Sequence, residues 1–334
     1  MTEPTQVIQA LLDPKTYPHH PQSVSLVQTQ MSLVFLTGDY VYKIKKPVDL
    51  GYLDYTTLEK RRFFCHQELA LNQRLSPDVY LKVVPIVQQS GEILLGGEGP
   101  PIEYAVKMRQ LPSDRMMDVL LTRSAVTPQM VQRVAQKVAS FHEQAETSAE
   151  ISRYGNLEVV QANADENFSQ TEQYVGLSIY RPSYERIKTY TYGFIQQNAA
   201  LFKNRVNEGR IRDCHGDLHS AHVCFVDDIS IYDCIEFNDR FRYCDVAAEV
   251  AFLAMDLDYY GHADLARCFT DAYVEASRDG ELVRLLDFYR CYRAYVRGKV
   301  ESFKLNDPLM SQEEKARALD TARRYFDLAH SYTE

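Results

Sequence analysis

The feature that most limits what this chain can fold into is a change of texture at Leu111-Pro112. Before it, short apolar-alternating runs are separated by turn residues, the pattern of antiparallel strands. Val24 to Thr29 alternates, Leu33 to Leu36 is apolar, Gly38-Asp39 makes a turn and Tyr40 to Lys45 alternates again. Further strands are expected at Val79 to Gln88, Glu92 to Leu95 and Ile102 to Arg109. A single helix interrupts them. Thr56 with Glu59 has the spacing of a capping box, the helical pattern runs to about Leu75, and Ser76-Pro77-Asp78 stops it. After Leu111-Pro112 the period changes to that of helices. Thr127-Pro128 caps a stripe formed by Val131, Val134, Val138 and Phe141. A polar, aromatic region from about 150 to 210 holds two or more helices, and four more are expected at Val246 to Tyr259, Asp264 to Ser277, Leu282 to Phe303 and Gln312 to Tyr332. The stretch 211–245 between them reads as strand and loop. The fold class is therefore α+β, with a β-rich lobe over 1–110 carrying one helix and a mostly helical lobe over 111–334.

Size and charge narrow the function classes. A chain of 334 residues exceeds the usual single domain. Its net charge of −9 excludes the clustered basic footprint of a nucleic-acid binder. No apolar run has the length needed to span a bilayer, and Glu3 and Pro4 beside Met1 do not form the start of a signal peptide. Seven cysteines without a C-x-x-C pair suit free thiols in a reducing cytoplasm. Cys214, Cys224, Cys234 and Cys244 recur every ten residues, but nothing else repeats at that period.

The run Cys214-His215-Gly216-Asp217-Leu218-His219-Ser220-Ala221-His222-Val223 carries the chemistry. Asp217 follows His215 by two, and an acidic pair, Asp233 and Glu236, follows a hairpin and strand at Val226 to Tyr232. Phosphoryl transfer from ATP uses one carboxylate to orient the attacking hydroxyl and oxygen ligands to hold Mg²⁺ on the phosphates. The segment resembles the catalytic loop of the aminoglycoside phosphotransferase and choline kinase group, H-G-D-L-H-x-x-N followed by I-D-[FW]. The resemblance extends over about residues 20 to 300. It is strongest to a bacterial subgroup of unknown substrate, in which the kinase-like half is often fused to a P-loop ATPase half. Thr37-Gly38-Asp39 to Pro47 and Asp233 to Asn238 match segments of that subgroup, while G-x-x-x-x-G-K-[ST] is missing from this sequence.

The resemblance implies a bilobal protein-kinase-like fold binding ATP and Mg²⁺ in the cleft between lobes. Asp217 would be the catalytic base, and His215 would pack beneath the loop and bond to backbone. Lys43 or Lys45, two apart on one strand face, would touch the α- and β-phosphates, fixed by Glu68. Thr29 and Ser32 would serve in a glycine-free phosphate-covering loop. Lys107 to Leu111, through Met108 and Gln110, would meet the adenine with backbone groups. Glu236, with Asp233 in contention, would hold the metal; on a straight strand these two point to opposite faces. His222 stands where the family has Asn, and imidazole is a poor ligand for Mg²⁺. One metal held by the acidic pair, a preference for Mn²⁺, or loss of turnover would follow, and Asn238 could stand in for the missing amide. Asp245 would brace the catalytic loop or cap the next helix, and Arg240 and Arg242 would pair with it or reach a phosphate.

The expected activity is transfer of the γ-phosphoryl group to a hydroxyl of a small polar molecule, whose site would involve 150–210 with Tyr174, Tyr180, Tyr184 and Tyr190. Two other readings use the same residues. A pseudokinase would bind nucleotide or a partner without turnover, as His222 and the glycine-free loop suggest. A metal hydrolase would use His215, His219 and His222 with Asp217, Asp227 and Asp228 as zinc ligands.

Overall fold

The computed structural model describes residues 4–226, 228–308 and 310–334, so Met1, Glu3 and Asp227 lie outside the described residues. Two compact units are present: residues up to Met116 together with His222–Asp239, and Met117–Ala221 together with Arg240–Glu334.

The first unit begins with α1 (Pro4–Leu12), a helix not expected from the sequence, followed by β1 (Ser25–Gln28), β2 (Ser32–Leu36), β3 (Tyr40–Lys45), α2 (Leu58–Gln73), β4 (Tyr80–Gln89), β5 (Glu92–Leu95) and β6 (Pro101–Arg109). The strands form one antiparallel sheet in the order β1-β2-β3-β6-β4-β5. Successive side chains on a strand point to opposite faces, and β3 uses both. Tyr42 and Ile44 pack with Phe35, Ile86, Ala105 and the α1 residues Val7 and Leu11. Val41 packs with Val106, Met108 and Cys65 of α2. Lys43 and Lys45, in phase with Val41, are thereby aimed at the α2 side. The cap of α2 is Thr57, whose side chain accepts from the Lys60 amide, rather than Thr56. Thr56 instead donates to Asp54 at 2.6 Å, because an Asx turn at 54–56 competes for its hydroxyl.

Beyond the sheet come α3 (Met117–Thr122), α4 (Pro128–Gln144), α5 (Ala149–Ser152), α6 (Leu157–Thr171), α7 (Arg181–Gln197), α8 (Ala199–Asn207) and β7 (Ile211–Asp213). A hairpin, β8 (Val223–Phe225) with β9 (Ile229–Ile231), belongs to the first unit. Then follow α9 (Asp239–Arg242), β10 (Tyr243–Asp245), α10 (Val246–Tyr259), α11 (Ala263–Ser277), α12 (Leu286–Phe303) and α13 (Gln312–Ser331). The core of the helical unit joins Phe168 of α6, Tyr184 and Ile187 of α7, Phe252 and Met255 of α10, Tyr295 of α12 and Phe326 of α13. Every residue of α10 from Val246 to Leu257 is buried. All seven cysteines are free thiols. No helix among the described residues is long and apolar enough to cross a membrane.

Candidate functional site

In the first unit a buried ionic network forms where β3 meets α2. Glu68, fully buried on α2, holds two strand lysines, Lys43 Nζ at 2.9 Å and Lys45 Nζ at 2.8 Å. The network has two layers. In the deeper one, Lys45 also pairs with Glu236, and the Tyr55 hydroxyl donates to the same Glu236 oxygen at 2.6 Å. In the outer one, Lys43 pairs with Asp233 at 2.7 Å, and the Asp233 side chain keeps 42% of its surface exposed against 6% for Glu236. Burial works against the charge on both lysines, but the carboxylates outweigh it and hold both pKa values well above the usual lysine range. Burial likewise opposes the charge on Glu68, yet Lys43 and Lys45 keep its pKa below normal. Tyr55 is held protonated by burial and the neighbouring Glu236.

Asp233 and Glu236 reach the same strand because the chain is not extended between them. β9 ends at Ile231, and Asp233 has φ +63°, in the left-handed region. Three contacts fix the bend: Ser76 Oγ donates to the Ile231 carbonyl at 2.8 Å, the Asp233 amide to Tyr80 Oη at 3.3 Å, and the Cys234 amide to Asn72 Oδ1 at 2.9 Å. His222 Nε2 lies 3.7 Å from Asp233 Oδ2, and its ring leans on Tyr232 at 5.7 Å. Asn238 donates to the Tyr52 carbonyl at 3.1 Å.

The glycine-free loop between β1 and β2 is closed by its own hydroxyl: Thr29 Oγ1 accepts the Ser32 amide at 2.9 Å. Ser32 is buried, and its hydroxyl has no hydrogen-bond partner among the described residues. Met108 lies within the sheet, opposite Val41 on one side and Tyr80 on the other. Gln110, just past β6, ties back to the β2–β3 turn by accepting the Gly38 amide at 3.1 Å and donating its own amide to Asp39 at 2.9 Å.

In the second unit the loop after β7 is held by α10. Gly216 has φ +87°, which a residue with a side chain rarely adopts, and this turns the backbone so that consecutive amides point the same way. Both amides find one carboxylate: Glu249 accepts from His215 N at 3.0 Å and from Gly216 N at 2.6 Å, and also meets His142 Nε2 at 2.8 Å. Seven residues along the same helix, Asp256 takes the Ser220 amide at 2.8 Å and the Ser220 hydroxyl. His215 is buried, with Nδ1 accepting the Asp217 amide at 3.3 Å. His219 is buried against Phe252, with Nε2 3.5 Å from Asp217 Oδ2. The Asp217 side chain is 33% exposed.

Asp245 caps α10 through the Ala247 amide at 2.8 Å and forms a buried bidentate pair with Arg205. The brace expected of Asp245 is supplied by Glu249 and Asp256. Arg240 pairs with Glu166 and Arg242 with Asp213. Sequence reading missed Tyr55, Asn72, Ser76 and Tyr80, which carry no motif. It also missed Glu249 and Asp256, for which a signal existed: two acids at helical i, i+7 in the otherwise apolar run Val246 to Leu257.

No family model matches the chain. An uncharacterised protein of Mycobacterium tuberculosis is 31% identical over 301 residues, covering 90% of this chain, and the chain spans 58% of that relative's length. Among solved structures, an amicoumacin kinase in complex with AMP-PNP and Ca²⁺ matches at a TM-score of 0.52 and 12% identity, over 98% of this chain and 94% of that one. A Ralstonia eutropha protein assigned as an aminoglycoside phosphotransferase matches at a TM-score of 0.53 and 12% identity, over 94% and 92% of the two chains.

Proposed function

We propose that this chain, whose fold is the α+β protein-kinase-like fold of the aminoglycoside phosphotransferases, is an ATP-dependent phosphotransferase acting on a hydroxyl of a small polar molecule. The observation that supports this most is Glu68 holding Lys43 and Lys45 on one strand face. A fixed ammonium at that position suits the α- and β-phosphates of a nucleotide, and Lys43, in the outer layer, is the better placed of the two to exchange a carboxylate for a phosphate. The solved amicoumacin kinase carries an ATP analogue and a divalent ion.

The roles divide by residue. Lys43 neutralises phosphate charge, and Glu68 keeps it pointed. Asp217 accepts the proton of the acceptor hydroxyl as its oxygen bonds to the γ-phosphorus; the bridging P–O bond breaks and ADP leaves. The donor set fits a hard divalent ion such as Mg²⁺ or Mn²⁺, with Asp233 offering exposed carboxylate oxygen while Glu236 is committed to Lys45 and Tyr55. Such an ion would supply charge neutralisation on the phosphates. The nucleotide would be held by residues within 1–110 and the acceptor by residues within 111–334, including 150–210.

Calorimetry with AMP-PNP and Mg²⁺, followed by a screen of hydroxyl compounds for ATP-dependent phosphorylation, tests this reading. Asp217→Ala should leave nucleotide affinity within about threefold and lower transfer by roughly 10³-fold or more. Equal turnover in both proteins removes Asp217 from the mechanism. His222 beside Asp233, where an amide oxygen would suit Mg²⁺ better, favours a second reading as a nucleotide-binding module without turnover. Thermal stabilisation by nucleotide with no transfer under either Mg²⁺ or Mn²⁺ selects it. Stoichiometric zinc in nucleotide-free protein would instead select the hydrolase.

A further inference from the structure

A polar seam runs between α6 and α12 in the helical unit. Asn163, Glu166, Asn167 and Gln170 recur at i, i+3, i+4 and i+7, so they share one face of α6. From α12, Lys299 Nζ donates to Asn167 Oδ1 at 2.6 Å and to Gln170 Oε1 at 2.8 Å. Both acceptors are neutral, and no carboxylate forms an ion pair with Lys299 among the described residues. Glu166, the one acid of the four, is taken: Arg240 pairs with it, and Gln170 Nε2 donates to its other oxygen at 3.1 Å. Arg240 also donates twice to Asn163 Oδ1, at 3.0 and 2.6 Å. The Tyr292 hydroxyl, two turns before Lys299 on α12, meets the Asn167 side chain, and the Phe303 ring lies 5.8 Å from Lys299 Nζ.

The balance at Lys299 is the reverse of that at Lys43 and Lys45. There, carboxylates outweigh burial. Here, burial pushes the amine down to about 8, with Glu166 opposing the shift in part and Arg240 adding to it. An amide oxygen orients an ammonium without neutralising it, and two cations share one carboxylate along the seam. An ammonium also has three donors, of which the described residues accept two. Lys299, Gln170 and Tyr292 are each partly open to solvent, which leaves an approach for a ligand oxygen. We infer that this seam binds a small oxyanion, a carboxylate or a phosphate, with Lys299 donating to it and Arg240 adding its charge from the far side of Glu166. The site goes beyond the phosphotransferase reading and does not depend on it; the anion belongs either to the acceptor or to a separate effector.

The test is calorimetry on the full chain at fixed ionic strength, titrating D-glycerate and sulfate, the latter standing for a phosphate group, against glycerol as the uncharged control. Neither anion titrates near pH 8, so runs in buffers of different ionisation heat count the protons that the protein takes up. An anion that restores the ordinary charge of Lys299 should draw in up to about half a proton at pH 8, and almost none at about pH 6.5, where the amine is already charged. At least one anion should bind about tenfold or more tighter than glycerol. Lys299→Gln should remove that advantage together with the proton uptake. Lys299→Arg, charged throughout this range, should keep the affinity and lose the uptake. The inference is overturned if neither anion binds more tightly than about 10 mM, if parent and Lys299→Gln bind alike, or if the uptake survives in Lys299→Arg. If Lys299→Gln does not fold, the parent and Lys299→Arg titrations decide. ADP release from ATP that requires D-glycerate and falls in Lys299→Gln would assign the anion to the acceptor. Binding without turnover would assign it to an effector, and a failed screen for phosphoryl transfer leaves the site standing.

Discussion

Glu249→Gln should loosen the loop carrying Asp217, and its cost can be worked from the carboxylate's surroundings. Burial opposes the charge on Glu249, but His142 and the backbone amides outweigh it and hold its pKa at about 2 against an ordinary 4.5. Holding this carboxyl at about 2 in the folded chain corresponds to about 3 kcal/mol of stability from the one ionised group. The sign follows from the direction of the shift. The contribution is complete above the unfolded pKa near 4.5 and is lost as pH falls through the folded value near 2. At pH 3, less than half of it should remain, on the order of 1 kcal/mol. The carboxamide offers one oxygen where the carboxylate offers two, so one loop amide loses its acceptor. Urea denaturation of parent and variant at pH 7, 4 and 3, followed by circular dichroism because the chain has no Trp, measures the gap. The gap should be about 3 kcal/mol at pH 7 and should narrow by more than half at pH 3. A gap that stays constant to within about 0.5 kcal/mol across that range would refute the linkage. Hydrogen exchange at the His215 and Gly216 amides should accelerate in the variant.

The two lysines on Glu68 should behave differently. Lys45→Met leaves Glu68 and Glu236 buried without their shared cation and should cost about 3–5 kcal/mol in urea. Lys43→Met should cost less, because Asp233 is half exposed, yet weaken AMP-PNP binding by roughly tenfold or more in calorimetry. The opposite ranking would reverse their roles. Gly298→Ala would set a Cβ 2.9–3.0 Å from the Phe326 ring, where α12 packs on α13. A net loss of about 1–2 kcal/mol is expected once the helix preference of Ala is subtracted, and thermal melting at or above the parent temperature would show that the ring yields.

What the sequence made legible, and what it hid, follows from the range of each signal. Strand alternation is local, so β2, β3 and β5 were placed to within a residue. So was the match of Lys43 and Lys45 to one strand face, which is a matter of period two. The cap of α2 slipped by one residue because Thr56 and Thr57 offer the same hydroxyl, and only Asp54 distinguishes them. The joint approach of Asp233 and Glu236 to β3 was not readable. It depends on a left-handed Asp233 held by Ser76, Asn72 and Tyr80 from more than 150 residues away. The loop at His215 announced itself by composition, while its supports on α10 left only two acids seven residues apart in an apolar run, a mark that does not say what they hold until their partners are known.

Because one rigid helix supplies both anchors of that loop, α10 works as a ruler. Glu249 and Asp256 are separated by seven residues, about 10.5 Å of rise and nearly two whole turns. Inserting or deleting a single residue between them would swing one carboxylate by about 100° around the axis, leaving either the Ser220 end or the Gly216 end of the loop untethered. Side chains along α10 can therefore be exchanged one at a time, but the count of residues between its two acids cannot change without remaking the loop.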